Sequence, residues 1–378
     1  MKSVRSVRSY SAMGAAGMAV VLLLLASVPL ASAAEDRECF GRPVTLVGTS
    51  RSDELRGTSG ADVIAGFAGN DVIRGLGGND IVCGGPGHDQ LYGGGAHDDL
   101  DGGRGSDVLS GASGNDVLSG ASGSDWARGG GGNDSILGGA GLDTLDFERA
   151  SRSIDANLAR GSARGEGQDS LEDLEALFGS HLDDVLVGDR GANYLLGRFG
   201  DDQLDGGSGL DMVISYSDWS AEIDLASGFS RETPPYPSIP GSPQIDTLID
   251  IESAMGGYFD DQISGDDGPN ILIGLEGEDS LDGRGDADIF FTEGFGGPND
   301  YGFSSPTGGD RVQGGPGAAD LVDFSVVPGW IEANLADGSA TANCSSPDDE
   351  EPDPLCGGVD ALEGIEWLRG SERYYHEA

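Results

Sequence analysis

Between Gly57 and Asp146 one aliphatic side chain returns every nine residues: Ile64, Ile73, Val82, Leu91, Leu100, Leu109, Leu118, Ala127, Ile136 and Leu145. Only Ala127 falls short of a full aliphatic group. The residues flanking each of them vary, so one inward position sits between two outward ones, as in a very short strand. The six residues before each strand carry glycine at turn positions, where a positive φ or close backbone approach would strain any residue with a Cβ. They are predicted to form a loop. Two loop–strand units then complete one solenoid coil of eighteen residues, and successive coils stack about 4.8 Å apart, the spacing between strands of a sheet.

The sixth position of every unit is an aspartate: Asp62, Asp71, Asp80, Asp89, Asp98, Asp107, Asp116, Asp125, Asp134 and Asp143. Stacking sets alternate aspartates in a column along one edge of the roll and the rest along the other. At that spacing two bare carboxylates repel by roughly 3 to 4 kcal/mol at an effective dielectric of 20. One buried aliphatic per unit returns only about 1.5 to 3 kcal/mol, while ordering the backbone costs about 1 to 2 kcal/mol for each of the unit's nine residues. A metal-free roll is therefore expected to be unstable. A divalent hard cation between neighbouring loops reverses the electrostatic sign, and calcium accepts irregular all-oxygen cages more readily than magnesium. Cation binding and folding become one event.

The pattern G-x-x-G-x-D-x-(aliphatic)-x, with units such as GGRGSDVLS from Gly102 and GGGGNDSIL from Gly129, resembles the RTX, or hemolysin-type, calcium-binding nonapeptide. The resemblance implies an all-β fold: a right-handed parallel β-roll, a calcium-stapled β-solenoid in several stacked segments. It also implies calcium between loops on both edges, ligated by the sixth-position aspartates and loop carbonyls. In this family such repeats accompany proteases, lipases, toxins, adhesins and uncharacterised secreted proteins, so the likeness speaks to fold and ligand more than to biological role.

The ten tandem units occupy residues 57–146. Before them, 34–56 reads as a cap holding a degenerate unit, with Asp53 and Leu55 in place but Arg51 where a loop glycine belongs. Afterwards a longer module alternates with returning repeats: module one over 147–178, a second roll over 179–214, module two over 215–255, a third roll over 256–291, and degenerate repeats with a third module over 292–378. The returning units place Asp184, Asn193, Asp202 and Asp211, then Asp261, Asn270, Asp279 and Asp288, at the sixth position. The six aspartates among them join the candidate metal ligands; Asn193 and Asn270 lack the charge, so these rolls are expected to bind fewer ions or bind them more weakly. Asp310 and Asp320 fall out of clean register and are given no site. The module stretches DSLEDLEALF and DTLIDIESAM fit short amphipathic helices or bulged solenoid strands. Immediate resumption of the nine-residue register favours strands.

At the N-terminus Lys2, Arg5 and Arg8 precede an apolar run through Met18 to Leu30 and then Ala31-Ser32-Ala33. This reads as a secretory signal over residues 1–33, with an uncleaved anchor helix as the alternative; Pro29 and the small-residue site favour cleavage. Family members more often carry a C-terminal export signal, so the leader implies the general secretory route and an extracellular destination, with no membrane insertion after cleavage. The chain has 66 acidic against 21 basic side chains, 67 glycines and a formal charge of −45, which excludes nucleic acid as a natural partner and argues against an anionic membrane surface. Four cysteines fit an oxidising compartment. Of the three connectivities, Cys39–Cys83, tying cap to roll, and Cys344–Cys356, closing an acidic proline-rich loop, are favoured. Zinc is disfavoured because no C-x-x-C pair or nearby histidines occur.

No H-E-x-x-H and no G-x-S-x-G appears. His88 and His97 occupy the variable fifth loop position and read as exposed loop residues rather than bases. The modules, about forty residues each, fall below the usual size of an independent catalytic domain. The expectation is thus a non-enzymatic, secreted structural or interaction module; the alternatives are a calcium-dependent hydrolase related to the proteases or lipases, or a calcium-dependent adhesin. Outward strand positions such as Asp99, Val117, Ser135, Gln90, Val108 and Thr144 form no flat threonine or asparagine ladder. Tyr92 with Trp126 is the largest candidate patch, and an extracellular protein or matrix partner stays open.

Overall fold

The computed structural model describes residues 38–215, 219–233, 243–291, 311–315, 320–324, 330–334, 339–343, 359–363, 365 and 367–370. The leader, Asp310, the acidic stretch 348–351, Cys344 and Cys356 lie outside them, and with them the expected Cys344–Cys356 bridge.

Every regular element among the described residues is a strand, because no stretch offers apolar positions at helical spacing for long enough to bury a helix face. One face of the solenoid is a fourteen-stranded sheet running from Glu54–Arg56 to Trp367–Gly370. Its pairing is parallel and follows the period: Val72 lies opposite Gln90, Gln90 opposite Val108, and Val108 opposite Trp126. The other face repeats the register with Ile81, Asp99, Val117 and Ser135 in line. Between the faces the eighth-position residues from Ile64 to Leu145 form one continuous apolar core that extends through Leu177, Leu195, Leu204 and Ile263 to Phe290 and Val322. The stretches that admitted helices are strands: Gln168–Glu172, Ala176–Phe178, Gln244–Ile249 and Ser253–Met255.

Within the first roll the strands are longer than the three residues expected from the pattern. Those from Val72–Gly77 to Ser135–Ala140 have six residues each. Pairing continues past the first glycine of the next unit, so that Leu76 meets Gly94 and Ala112 meets Gly130. The second position of these units is left-handed whatever residue occupies it, with φ of 73° at Phe67, 84° at Leu76, 76° at Ala112 and 105° at Gly103. A single left-handed residue turns the strand at the coil edge while the ladder goes on, and the non-glycine occupants there hid the device from the sequence pattern.

The fourth position admits Ala96, at φ of 80°, but is more confined at Gly105. Gly105 has φ of 116°, and a Cβ on it would overlap the carbonyl oxygen of Gly87 in the coil below. Gly105→Ala is expected to cost about 1 to 3 kcal/mol in backbone strain alone, and more as the neighbouring coil is pushed away. Urea unfolding at saturating calcium measures it; a change within about 0.5 kcal/mol, typical of neutral surface sites, would mean that the coils are not stacked this closely.

The modules enter the second face as hairpins. In module one, Asp155–Asn157 pairs antiparallel with Ser162–Arg164, which pairs antiparallel with Gln168–Glu172. Gln168–Glu172 continues the first roll by lying parallel to Ser135–Ala140, and Asp155–Asn157 starts the second roll by lying parallel to Val185–Val187. Module two repeats this with Ser220–Asp224, Phe229–Thr233 and Gln244–Ile249. Module three repeats the hairpin with Trp330–Asn334, Ser339–Asn343 and Val359–Glu363. Each insertion adds two strands to this face and none to the fourteen-stranded one. At the N-terminal end Leu46–Val47 pairs with Val63–Ala65, itself paired with Ile81–Pro86. The expected Cys39–Cys83 disulfide closes over these strands.

Candidate metal centre

Each sixth-position aspartate sits where one strand begins, and its main chain and side chain serve different neighbours. Its carbonyl accepts the N–H that opens the strand of the following coil, as Asp71 O does from Gln90 at 2.8 Å. Its Oδ1 accepts the main-chain N–H of the aspartate one coil earlier: Asp71 donates to Asp89, Asp89 to Asp107 and Asp107 to Asp125 at 2.7 to 2.8 Å on one edge. Asp80 donates to Asp98, Asp98 to Asp116 and Asp116 to Asp134 at 2.8 to 2.9 Å on the other. The expected columns are therefore present, stitched by hydrogen bonds.

The second oxygen is the chemically informative one. In Asp71, Asp80, Asp89, Asp98, Asp107, Asp116, Asp125, Asp134 and Asp143, and again in Asp202, Asp211 and Asp288, Oδ2 is buried and meets no donor. None of these residues is more than 4% exposed. A buried acceptor left unmatched costs about 1 to 3 kcal/mol, more when charged, so these oxygens await a partner. They lie against the first-position glycines: a Cβ on Gly75 would overlap Asp80 Oδ2 and come 2.8 Å from the carbonyl oxygen of Gly93. Carboxylate oxygen and loop carbonyl are thus gathered at one spot that only glycine keeps open. Burial, with a smaller addition from like charges in neighbouring coils, pushes the carboxyls of Asp98 and Asp107 up to about 7 and that of Asp202 up to about 8. A positive charge is what this donor set lacks, and hard oxygen donors fit calcium. Among the described residues no three carboxylate, imidazole or thiol side chains converge. A cation here would draw carboxylates from neighbouring coils and fill its shell with carbonyls.

Three of the sequence-derived candidates sit differently. Asp62 Oδ2 accepts the N–H of Thr58 at 2.6 Å and its hydroxyl at 2.9 Å. Asp184 takes the N–H of Ser180 on Oδ2 and that of Ile154 on Oδ1. Asp261 takes the N–H of Gly257 on Oδ2 and that of Ala221 on Oδ1. All three stand in the first coil of a roll, where the protein supplies donors of its own. Asn193 and Asn270 hold the same place on the opposite edge, with Oδ1 accepting the N–H of Asp189 and Asp266. Asp279 stands in its column and receives the Asp261 N–H on Oδ1 at 2.9 Å.

The structure also places in the columns residues that the period did not single out. Asp169 and Glu175 accept the N–H of Asp134 and Asp143. Asp246 and Glu252 accept those of Asp202 and Asp211, and Asp320 that of Asp288. Their separations of 35, 32, 44, 41 and 32 residues are not multiples of nine, which is why repeat counting passes over them. The signal that could have found them is the Asp-x-Glu shared by the two modules at Asp173–Glu175 and Asp250–Glu252.

The remaining candidates are structural. His88 accepts the N–H of Ser106 on Nδ1 at 2.9 Å and His97 that of Asn115 at 2.7 Å, so both rings staple adjacent loops. Tyr92 and Trp126 form no joint patch: Arg74 lies 5.4 Å over the Tyr92 ring, while Trp126 packs edge-on against Phe178 at 5.2 Å.

Residues 47–82, 84–109, 110–145, 178–213 and 255–290 match the family described as RTX calcium-binding nonapeptide repeat (4 copies). No curated protein matches the chain. Among solved structures, "Crystal structure of extracellular lipase LipA from Serratia marcescens" is 18% identical with a TM-score of 0.15, over 73% of this chain and 38% of that one. This chain thus spans well under half of that lipase, and so low a score carries no argument about activity.

Proposed function

We propose, from the premise that this chain carries RTX calcium-binding nonapeptide repeats and folds as a calcium-binding β-roll, that it is a secreted protein that folds on meeting extracellular calcium and then serves as a structural or interaction module. The observation that carries the reading is the run from Asp71 to Asp143, nine consecutive sixth-position aspartates each with one oxygen buried and unmatched. Such a run is unfavourable in a calcium-free chain and self-consistent in a loaded one. The N-terminal leader and the disulfide at Cys39–Cys83 support an oxidising, extracellular destination. A general secretory route carries unfolded chains, and a roll that waits for calcium suits it. On this reading the aspartates with unmatched oxygens, together with Asp279, are the ligands that matter most, and the modules hold no catalytic centre.

Calorimetric titration of calcium into chelated protein, with far-ultraviolet circular dichroism alongside, tests the proposal. The expected result is a gain of β structure steeper than one-site binding, because each coil forms half of the next coil's site, with midpoints of about 10⁻⁴ to 10⁻³ M if the sites resemble other extracellular modules. A shallow one-site curve, or full β content before any calcium is added, overturns it.

A further inference from the structure

Where the first and second rolls end, the chain leaves the repeat pattern, yet one edge column continues unbroken. Asp143 donates its N–H to Glu175 Oε2 at 2.8 Å, and Asp211 donates to Glu252 Oε2 at 2.9 Å, the bond that within a roll goes to the next aspartate. In the same two turns Asp173 and Asp250 adopt φ of 48° and 47°, rare for residues other than glycine. That conformation puts their carbonyl oxygens where a roll has the carbonyl of its first-position glycine. A Cβ on Gly138 would overlap Asp173 O and come 2.8 Å from Asp143 Oδ2; one on Gly206 would overlap Asp250 O and come 2.8 Å from Asp211 Oδ2. Asp143 and Asp211 are 1% and 0% exposed, and their Oδ2 atoms have no partner.

We infer that the Asp-x-Glu turns at Asp173–Glu175 and Asp250–Glu252, outside the repeats, complete calcium sites with Asp143 and Asp211, the turn giving a main-chain carbonyl and the glutamate a carboxylate. This rests on the calcium-roll reading above and adds to it two sites that the repeat pattern does not assign. The next coil shows on which side of each glutamate the cation sits. Asn193 directs Nδ2 toward Glu175 O at 3.5 Å, and Asn270 donates Nδ2 to Glu252 O at 2.9 Å. The asparagine brings no charge and its amide meets the glutamate's main-chain carbonyl, so the step beyond the glutamate lacks the second carboxylate that the step before it has. Both module turns follow the order Asp, Glu, Asn, Asp along this edge: 143, 175, 193, 211 and then 211, 252, 270, 288. The third module has Gly364-Ile365-Glu366 at the matching place in sequence, with glycine where the other two need a positive φ.

The test counts ions bound to the full chain by equilibrium dialysis against calcium, comparing wild type with Glu175→Gln, Glu252→Gln, the double variant and Asp107→Asn. Glutamine keeps the acceptor for the Asp143 or Asp211 N–H while removing the charge, so the register is retained. Each glutamine is expected to lose one ion, or to bind it at least tenfold more weakly, and the double variant to lose two. Full occupancy at unchanged midpoint in both single variants, while Asp107→Asn loses an ion, overturns this inference and leaves the roll intact. Failure of Asp107→Asn to lose an ion would instead strike the calcium-roll reading itself. If one variant fails to fold, the other, one roll away, reads the same question.

Discussion

Chelated protein at pH 8 is expected to lose its compact fold, and lowering the pH to 5 in the same chelator is expected to restore part of it. The free aspartate value is 3.8, whereas burial in the calcium-free fold raises Asp89, Asp116 and Asp125 to about 6 and Asp98 and Asp107 to about 7. The folded chain therefore holds protons that the unfolded chain has already released between about pH 4 and 7. Its calcium-free stability is greatest at and below the free aspartate value and declines as the pH rises through 7. The loaded protein behaves oppositely, because a ligand carboxylate must be ionised, so acidification through pH 7 and 6 releases the cation. Sedimentation velocity and circular dichroism in chelator and in calcium, at pH 5 and 8, give the four values needed. Working at pH 5 keeps clear of the isoelectric point near 4.1. Compact protein in chelator at pH 8 would remove the basis for treating the acidic columns as cation sites.

The second large effect is expected at Asp146, away from the columns. Its carboxylate is wholly buried and joins two rolls: Oδ1 faces Arg198 at 3.1 Å, and Oδ2 accepts Arg128 Nε at 2.6 Å and Trp126 Nε1 at 3.0 Å. Arg198 is itself only 8% exposed, with the half-exposed Glu148 at 3.5 Å as its other acid and Phe178 beneath its guanidinium. Asp146→Ala leaves that guanidinium with Glu148 alone, and removing one partner of a buried pair costs about 3 to 5 kcal/mol. Replacing both, as Asp146→Leu with Arg198→Met, should recover the share of the loss that belongs to this pair, since a well-packed apolar pair often matches a buried ion pair, while Arg128 and Trp126 still lose their acceptor. Urea unfolding of the two single variants and the double at saturating calcium closes the cycle. Additive losses would show that the two residues do not act together.

Much of this architecture was legible in the sequence because a period sets each residue against its own equivalents. Knowing that Leu91 returns as Leu109 and Asp89 as Asp107 fixes strand register, core and acidic columns in one step. The strand character of the modules followed from the same reasoning, whereas the Cys39–Cys83 pairing was favoured among three connectivities because it ties cap to roll. What was not legible depends on geometry that different residues can share. Leu76 and Ala112 take the left-handed turn that a glycine pattern advertises elsewhere, so six-residue strands looked like three. Glu175 and Glu252 enter the column from segments of irregular length, where only hydrogen bonding reveals the alignment. Asp62, Asp184 and Asp261 look identical to their neighbours in the motif, yet lie where local N–H groups take both or one of their oxygens.

The hairpins placed on a single face have a consequence for the shape of the particle. Two additional strands lengthen that side by roughly 10 Å per insert, and the sheets they separate are themselves only about 10 Å apart. The second roll keeps the nine-residue repeat of the first, which gives its coils little room to slant across the difference. The added strands on one side favour a turn of the long axis toward the fourteen-stranded side at each insert, a curvature set by how many hairpins the chain contains.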